Sequence, residues 1–111
     1  MGKGDFLGEF EQVVLLAVAR LDDDAYGVSV RREIERRTGR DVSVGSVYAT
    51  LSRLEEKGFV TSSEGQPTPR RGGRSRRLFR LLPEGAEALR MVRGMMERLW
   101  EDVDLDAASR A

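Results

Sequence analysis

Ser43-Val44-Gly45-Ser46-Val47-Tyr48-Ala49-Thr50-Leu51-Ser52-Arg53-Leu54-Glu55-Glu56-Lys57-Gly58 is the stretch on which the fold turns. Ser43 is a good helix N-cap, since its hydroxyl accepts from an amide of the first turn, and Gly58 is a good stop. Between them Val44, Val47, Tyr48, Leu51 and Leu54 recur at three and four residues, the period of an amphipathic helix. That spacing puts the Tyr48 ring on the apolar stripe, in the core, with only its hydroxyl free to reach a phosphate. The other face carries Gly45, Ser46, Ala49, Thr50 and Arg53, where a merely solvated helix would carry a mixture of Glu and Lys. Small side chains let a backbone approach a large polar surface, and Ser, Thr and Arg can bond phosphates or base edges there.

Two further helices precede this one. Phe10, Val13, Val14, Ala17, Val18 and Leu21 predict a mostly buried helix from about Gly8 to Leu21, ended by Asp22-Asp23-Asp24. Tyr26, Val30 and Ile34 fall at i, i+4 and i+8, giving a second helix with its stop at Thr38-Gly39. Packing against the first helix accounts for Tyr26, although its hydroxyl also stands where a backbone phosphate could be met.

Downstream, Phe59-Val60-Thr61 reads as one short strand and Arg77-Leu78-Phe79-Arg80-Leu81-Leu82 as another. The segment from Ser62 to Arg76 contains Gly65, Pro67, Pro69, Gly72 and Gly73, so a hairpin loop is expected there. Pro83 suits the first position of a last helix running to about Val103. Leu89, Val92, Met96, Leu99 and Val103 form its apolar stripe, which Ala88, Met91, Met95 and Trp100 widen. A helix of that length reaches roughly 30 Å. A domain this small cannot cover the whole face, so part of it is expected to pack on the same helix of a second chain.

Composition narrows the chemistry. A chain of 111 residues holds one modest core, and its start has no apolar leader or long apolar span, so a cytoplasmic protein away from the membrane is the expectation. With no Cys and no His, disulfides, thiolate chemistry, imidazole bases and the usual zinc sites are absent, and neither an enzyme nor a cofactor is expected. The acidic runs Asp22 to Asp24 and Asp102/Asp104/Asp106 read as solvated helix ends and not as a metal site. Net charge is zero, yet Arg70, Arg71, Arg74, Arg76, Arg77 and Arg80 crowd between Gly65 and Leu82 with no acid among them. Such segregation gives a strong local field in a neutral chain.

The fold class that follows is mainly α with a small β-hairpin. It is a winged helix-turn-helix domain over residues 1–82, with a dimerisation helix and tail over residues 83–111. In that geometry the third helix enters the major groove and the hairpin tip tracks the backbone or minor groove of double-stranded DNA. Ser46, Tyr48, Thr50, Arg53, Arg70, Arg71, Arg74 and Arg76 are the candidate DNA-binding residues.

The succession Tyr26-Gly27, Gly45-Ser46-Val47-Tyr48, Leu51-Ser52-Arg53-Leu54-Glu55-Glu56-Lys57-Gly58, Gly72-Gly73-Arg74 and Leu82-Pro83-Glu84-Gly85 resembles the PadR family of transcriptional regulators over about Phe6 to Val103. The resemblance implies a homodimeric repressor that binds a near-palindromic operator and releases it on a small-molecule or stress signal. Ala49 stands where the family usually has proline, Phe79 where tyrosine is common, and Leu82 where threonine would cap the last helix. With one C-terminal helix expected, the chain resembles the short branch of the family.

Each signal has a plainer reading beside it. Wing arginines keep an edge hairpin soluble, and Arg76, Arg77 and Arg80 can pair with acids of their own domain. Trp100, beside Met95 and Met96, is either dimer core or, with its symmetry mate, one wall of a pocket for a flat aromatic effector. The alternative function on the same fold is a protein-interaction module that never binds DNA.

Overall fold

The computed structural model describes residues 7–65 and 76–109. Helix α1 (Glu9–Leu21) runs into a short 3₁₀ turn (Asp22–Asp24), followed by α2 (Gly27–Thr38) and α3 (Val44–Glu56). Strands β1 (Val60–Glu64) and β2 (Arg77–Leu81) come next, then α4 (Pro83–Trp100) and a short α5 (Leu105–Ser109). The caps read from sequence stand where expected. Ser43 Oγ accepts from the Ser46 amide at 3.0 Å, Gly39 ends α2 in the left-handed region, and Pro83 opens α4.

Helices α1, α2 and α3 enclose the core. Val14, Leu15 and Val18 meet Val30 and Ile34 of α2, Val47, Leu51 and Leu54 of α3, and Phe59, Val60 and Phe79 from the hairpin, all buried. The hairpin is antiparallel, with Val60 opposite Leu81 and Glu64 opposite Arg77. A hydrogen bond from the Phe79 amide to the Ala25 carbonyl at 2.7 Å fastens β2 to the approach of α2. Strand β1 starts one residue later than the sequence predicts and runs on to Glu64, because Ser62, Ser63 and Glu64 find partners in β2.

Two boundaries near the C-terminus differ from expectation. Helix α4 stops at Trp100, short of Val103, because Asp102 takes a left-handed φ of 61°. Asp104 Oδ1 then accepts from the amides of Asp106 and Ala107 at 3.0 and 3.2 Å, capping a second C-terminal helix that the sequence reading lacked. Val103 therefore lies outside the helix.

The radius of gyration is 16.7 Å, against about 13 Å for a compact chain of this length. Helix α4 leaves the core along its length. Its first half packs on the core through Ala88, Leu89 and Val92, whereas Met95, Met96, Leu99 and Trp100 on the second half are exposed. No helix among the described residues is long and apolar enough to cross a membrane.

A buried carboxylate joins α1 to α2. Glu33 accepts from Arg36 at 2.6 Å, Arg20 at 2.9 Å and Arg37 at 3.3 Å. The bonds from Arg36 and Arg20 outweigh the penalty of burial and hold its carboxyl well down, at about 2. A carboxyl whose folded value is depressed contributes stability that is complete above its ordinary range near 4.5 and is lost as pH falls toward 2. The thermal midpoint is accordingly expected to drop between pH 4.5 and 2, and Glu33→Gln to flatten that part of the curve. Equal slopes for the two proteins would show that the arginines gain nothing from the charge.

Candidate nucleic-acid interface

The solvent side of α3 is a ridge of Gly45, Ser46, Ala49, Ser52, Arg53 and Glu56. Ser46 stands at its start with its hydroxyl donating to the Ser43 carbonyl at 2.9 Å. Arg53 leaves the last turn and turns back toward α1. Its Nη2 donates to Thr50 Oγ1 at 3.1 Å and its Nε lies 3.8 Å from Glu11 Oε2. Glu11 itself is buried and is clasped by Lys57 Nζ at 2.9 Å on both oxygens. Burial pushes the Glu11 carboxyl up, but the Lys57 bond, the Gly8 amide and the charges of Lys57 and Arg53 overcome it, and the net shift is downward.

Two positions exchange roles relative to the sequence reading. Thr50, expected on the outer face and at the bases, is 1% exposed, while Tyr48, expected in the core, is 38% exposed. The inner stripe of α3 is Val47, Thr50, Leu51 and Leu54, so Thr50 can act on DNA only through Arg53. The Tyr48 ring lies instead across the first turn of α2, over Gly27. A Cβ on Gly27 would overlap Cε2 and Cζ of that ring and sit 2.7 Å from its hydroxyl oxygen. Glycine at this position is what gives the ring a seat.

The wing arginines divide. Arg77 donates to Glu55 at 3.0 Å and to Ser62 at 3.2 Å, and Arg80 to Asp23 at 2.8 Å, so both are tied to their own domain. Arg76 is exposed and stacks its guanidinium 4.4 Å from the centre of the Tyr26 ring. Arg70, Arg71 and Arg74 lie outside the described residues. Among the described residues no acidic cluster could hold a metal ion.

The five expected dimerisation residues, four on α4 and Val103 beyond its end, also separate. Leu89 and Val92 pack on the chain's own core, where α4 runs beside α1. Met96, Leu99 and Val103 are exposed, as are Met95 and Trp100, the residues expected at an effector pocket.

The profile described as the transcriptional regulator PadR-like family matches residues 15–91, well over half of the chain. The chain belongs to the PadR family. It is 35% identical over 82 residues to the transcriptional regulator Rv3488 of Mycobacterium tuberculosis, covering 74% of this chain and 72% of that protein. Among solved structures it is similar to the complex structure of hsRosR-S4, with a TM-score of 0.67 and 25% identity, over 94% of this chain and 82% of the other. It also has the fold of a PadR family transcription regulator from Clostridium difficile, with a TM-score of 0.67 and 19% identity, over 84% and 95% of the two chains. A PadR chain is a transcriptional regulator of winged-helix fold, and the family is one of DNA-binding proteins and not of enzymes. Against that background Ser52 is the PadR interface candidate that periodicity passed over. It shares the ridge of Gly45, Ala49 and Glu56, and the signal for it was its place one turn beyond Ala49.

Proposed function

We propose that this PadR protein is a cytoplasmic, homodimeric repressor that binds a near-palindromic operator and is released by a small-molecule or stress signal. Residues 1–82 act as the DNA-binding unit and residues 83–111 as the dimerisation helix and tail. The observation that carries the reading is the α3 ridge, whose Gly45, Ala49 and Ser52 leave room for a groove floor beside polar Ser46 and Arg53. Ser46 and Arg53 read base edges, and the Tyr48 hydroxyl meets a phosphate. Arg70, Arg71, Arg74 and Arg76 grip the backbone or minor groove. Met96, Leu99 and Val103 meet their mates in the second copy. Met95, Met96 and Trp100, doubled by symmetry, form the surface for a flat aromatic effector.

The test is fluorescence anisotropy with a duplex from upstream of the protein's own gene against a scrambled duplex, at several salt concentrations. Tight, salt-sensitive binding with preference for the upstream duplex is expected. No binding to either duplex at low salt would favour a protein-interaction module on this fold. Within that assay, Arg53→Ala is expected to lower the preference by about 1 to 3 kcal/mol. Alanine at Arg70, Arg71 and Arg74 should weaken binding to both duplexes and flatten the salt dependence. Equal losses on both duplexes for Arg53→Ala would remove it from base reading.

A further inference from the structure

We propose that Tyr26 is a positioning residue for DNA binding, whose ring holds the Arg76 guanidinium at the root of the wing. The inference rests on the DNA-binding reading and goes beyond it, because it gives a role to an aromatic ring that need not touch DNA.

Three observations converge on this place. Arg76 stacks on the Tyr26 ring at 4.4 Å, close enough for the positive charge to be drawn to the ring face. Both partners have fixed backbones. The Tyr26 amide donates to Ser29 Oγ at 2.9 Å, and the Ser29 hydroxyl donates on to the Asp24 carbonyl, so the start of α2 is laced to the preceding turn. On the other side the Arg76 carbonyl accepts from the Gly65 amide at 2.6 Å, which closes the hairpin at that level. The third observation is the neighbour. Gly27 follows Tyr26 directly and seats the Tyr48 ring, so the start of α2 that carries the Tyr26–Arg76 pair also meets α3.

The physical consequence concerns entropy. A free arginine side chain loses much of its rotamer freedom when it grips a phosphate. An arginine already laid on a ring loses less, and its charge stays available, because stacking uses the guanidinium face and leaves the N–H edges to donate. Arg77 and Arg80, by contrast, spend those edges on Glu55, Ser62 and Asp23. Arg76 is thus the described wing arginine that is exposed and held by a ring face instead of by an acid.

The experiment is a double-mutant cycle on duplex binding by the full chain, with Tyr26→Leu, Arg76→Gln and the double variant, together with Tyr26→Phe. Tyr26→Leu is expected to weaken binding about threefold to fivefold. Arg76→Gln should weaken it more and reduce the logarithmic salt slope by about one contact. In the Arg76→Gln background Tyr26→Leu should cost nothing further, and Tyr26→Phe, which keeps the ring, should bind like wild type. Additive losses would overturn the proposal, as would a Phe variant as weak as the Leu variant, which would point to the hydroxyl as the contact. A ring-current shift of the Arg76 side-chain protons in the free protein, absent in Tyr26→Leu, checks the stacking without DNA. A wild-type chain that binds no duplex while showing that shift would overturn the DNA-binding reading and this role with it, whereas normal binding with additive losses would overturn this role alone.

Discussion

Leu99→Asp is expected to separate the protein into monomers and to lower operator affinity by at least about a hundredfold, while each domain stays folded. Along one face of α4, Ala88, Leu89 and Val92 are covered by the core, and the same face continues bare through Met95, Met96, Leu99 and Trp100. Leu99 is 66% exposed and Trp100 56% exposed in the isolated chain. A run of large apolar side chains over two helical turns is more than a monomer of this size normally leaves in water, and in the homodimer proposed above a second copy related by a two-fold axis would cover it. An aspartate at Leu99 would then be buried on both sides of that axis, where an unpaired carboxylate is costly.

Because Leu99 touches little within its own chain, the variant should keep its helical content. Sedimentation should give half the mass, and Trp100 emission should move to the red as water reaches the indole. The affinity loss follows from effective concentration. Two linked recognition helices gain about a hundredfold or more over one, whereas a duplex carrying a single half-site should bind wild type and variant alike. A Leu99→Asp protein that stays dimeric would move the interface to another surface, with the exposed Leu16 of α1 the next place to substitute.

The helices α2, α3 and α4 were legible because their ends are written in single residues. Ser43 caps, Gly39 stops and Pro83 starts, each through local chemistry that needs no tertiary partner. The side of α3 that faces water was not legible to the same degree. Tyr48 and Thr50 flank the apolar stripe on opposite edges, and periodicity cannot tell which edge turns inward. What decides is Gly27, far away in sequence, which opens a seat for the Tyr48 ring, and Arg53, which gives the buried Thr50 hydroxyl a donor. The wing arginines were found by their number, but their division between Glu55, Asp23 and the Tyr26 ring depends on contacts between distant parts of the chain. The end of α4 was missed because apolar spacing continues to Val103 while the backbone turns at Asp102, and spacing alone carries no sign of that turn.

Gly85→Ala is expected to destabilise the protein by about 2 kcal/mol, the opposite of what helix propensity predicts. Alanine inside a helix is favoured over glycine by about 1 kcal/mol. Gly85, however, sits in the first turn of α4 against the junction of α3 and β1. A Cβ there would overlap the Phe59 carbonyl oxygen, lie 3.1 Å from its carbon and meet Leu81 Cδ1 at 2.8 Å. The same carbonyl accepts from the Leu82 amide at 2.9 Å, so it cannot move aside without releasing the hydrogen bond that holds Leu82, the N-cap residue of the helix. Overpacking against backbone costs about 1 to 3 kcal/mol or more, which exceeds the propensity gain. At 4 to 8 °C per kcal/mol the thermal midpoint should fall by roughly 10 °C. Gly94→Ala is the matched comparison on the same helix. The nearest atom to its Cβ is Arg98 Nη1 at 3.5 Å, an ordinary contact, and its midpoint should rise by a few degrees at equal protein concentration. If both substitutions raise the midpoint, α4 is free to shift on the hairpin. If they diverge as expected, the contact of Gly85 with Phe59 fixes the angle at which α4 leaves the domain. In a dimer joined through α4 that angle sets the distance between the two recognition helices, about 34 Å for successive major grooves. The stability of this contact and the half-site spacing the protein accepts would then have a common origin in a single missing methyl group.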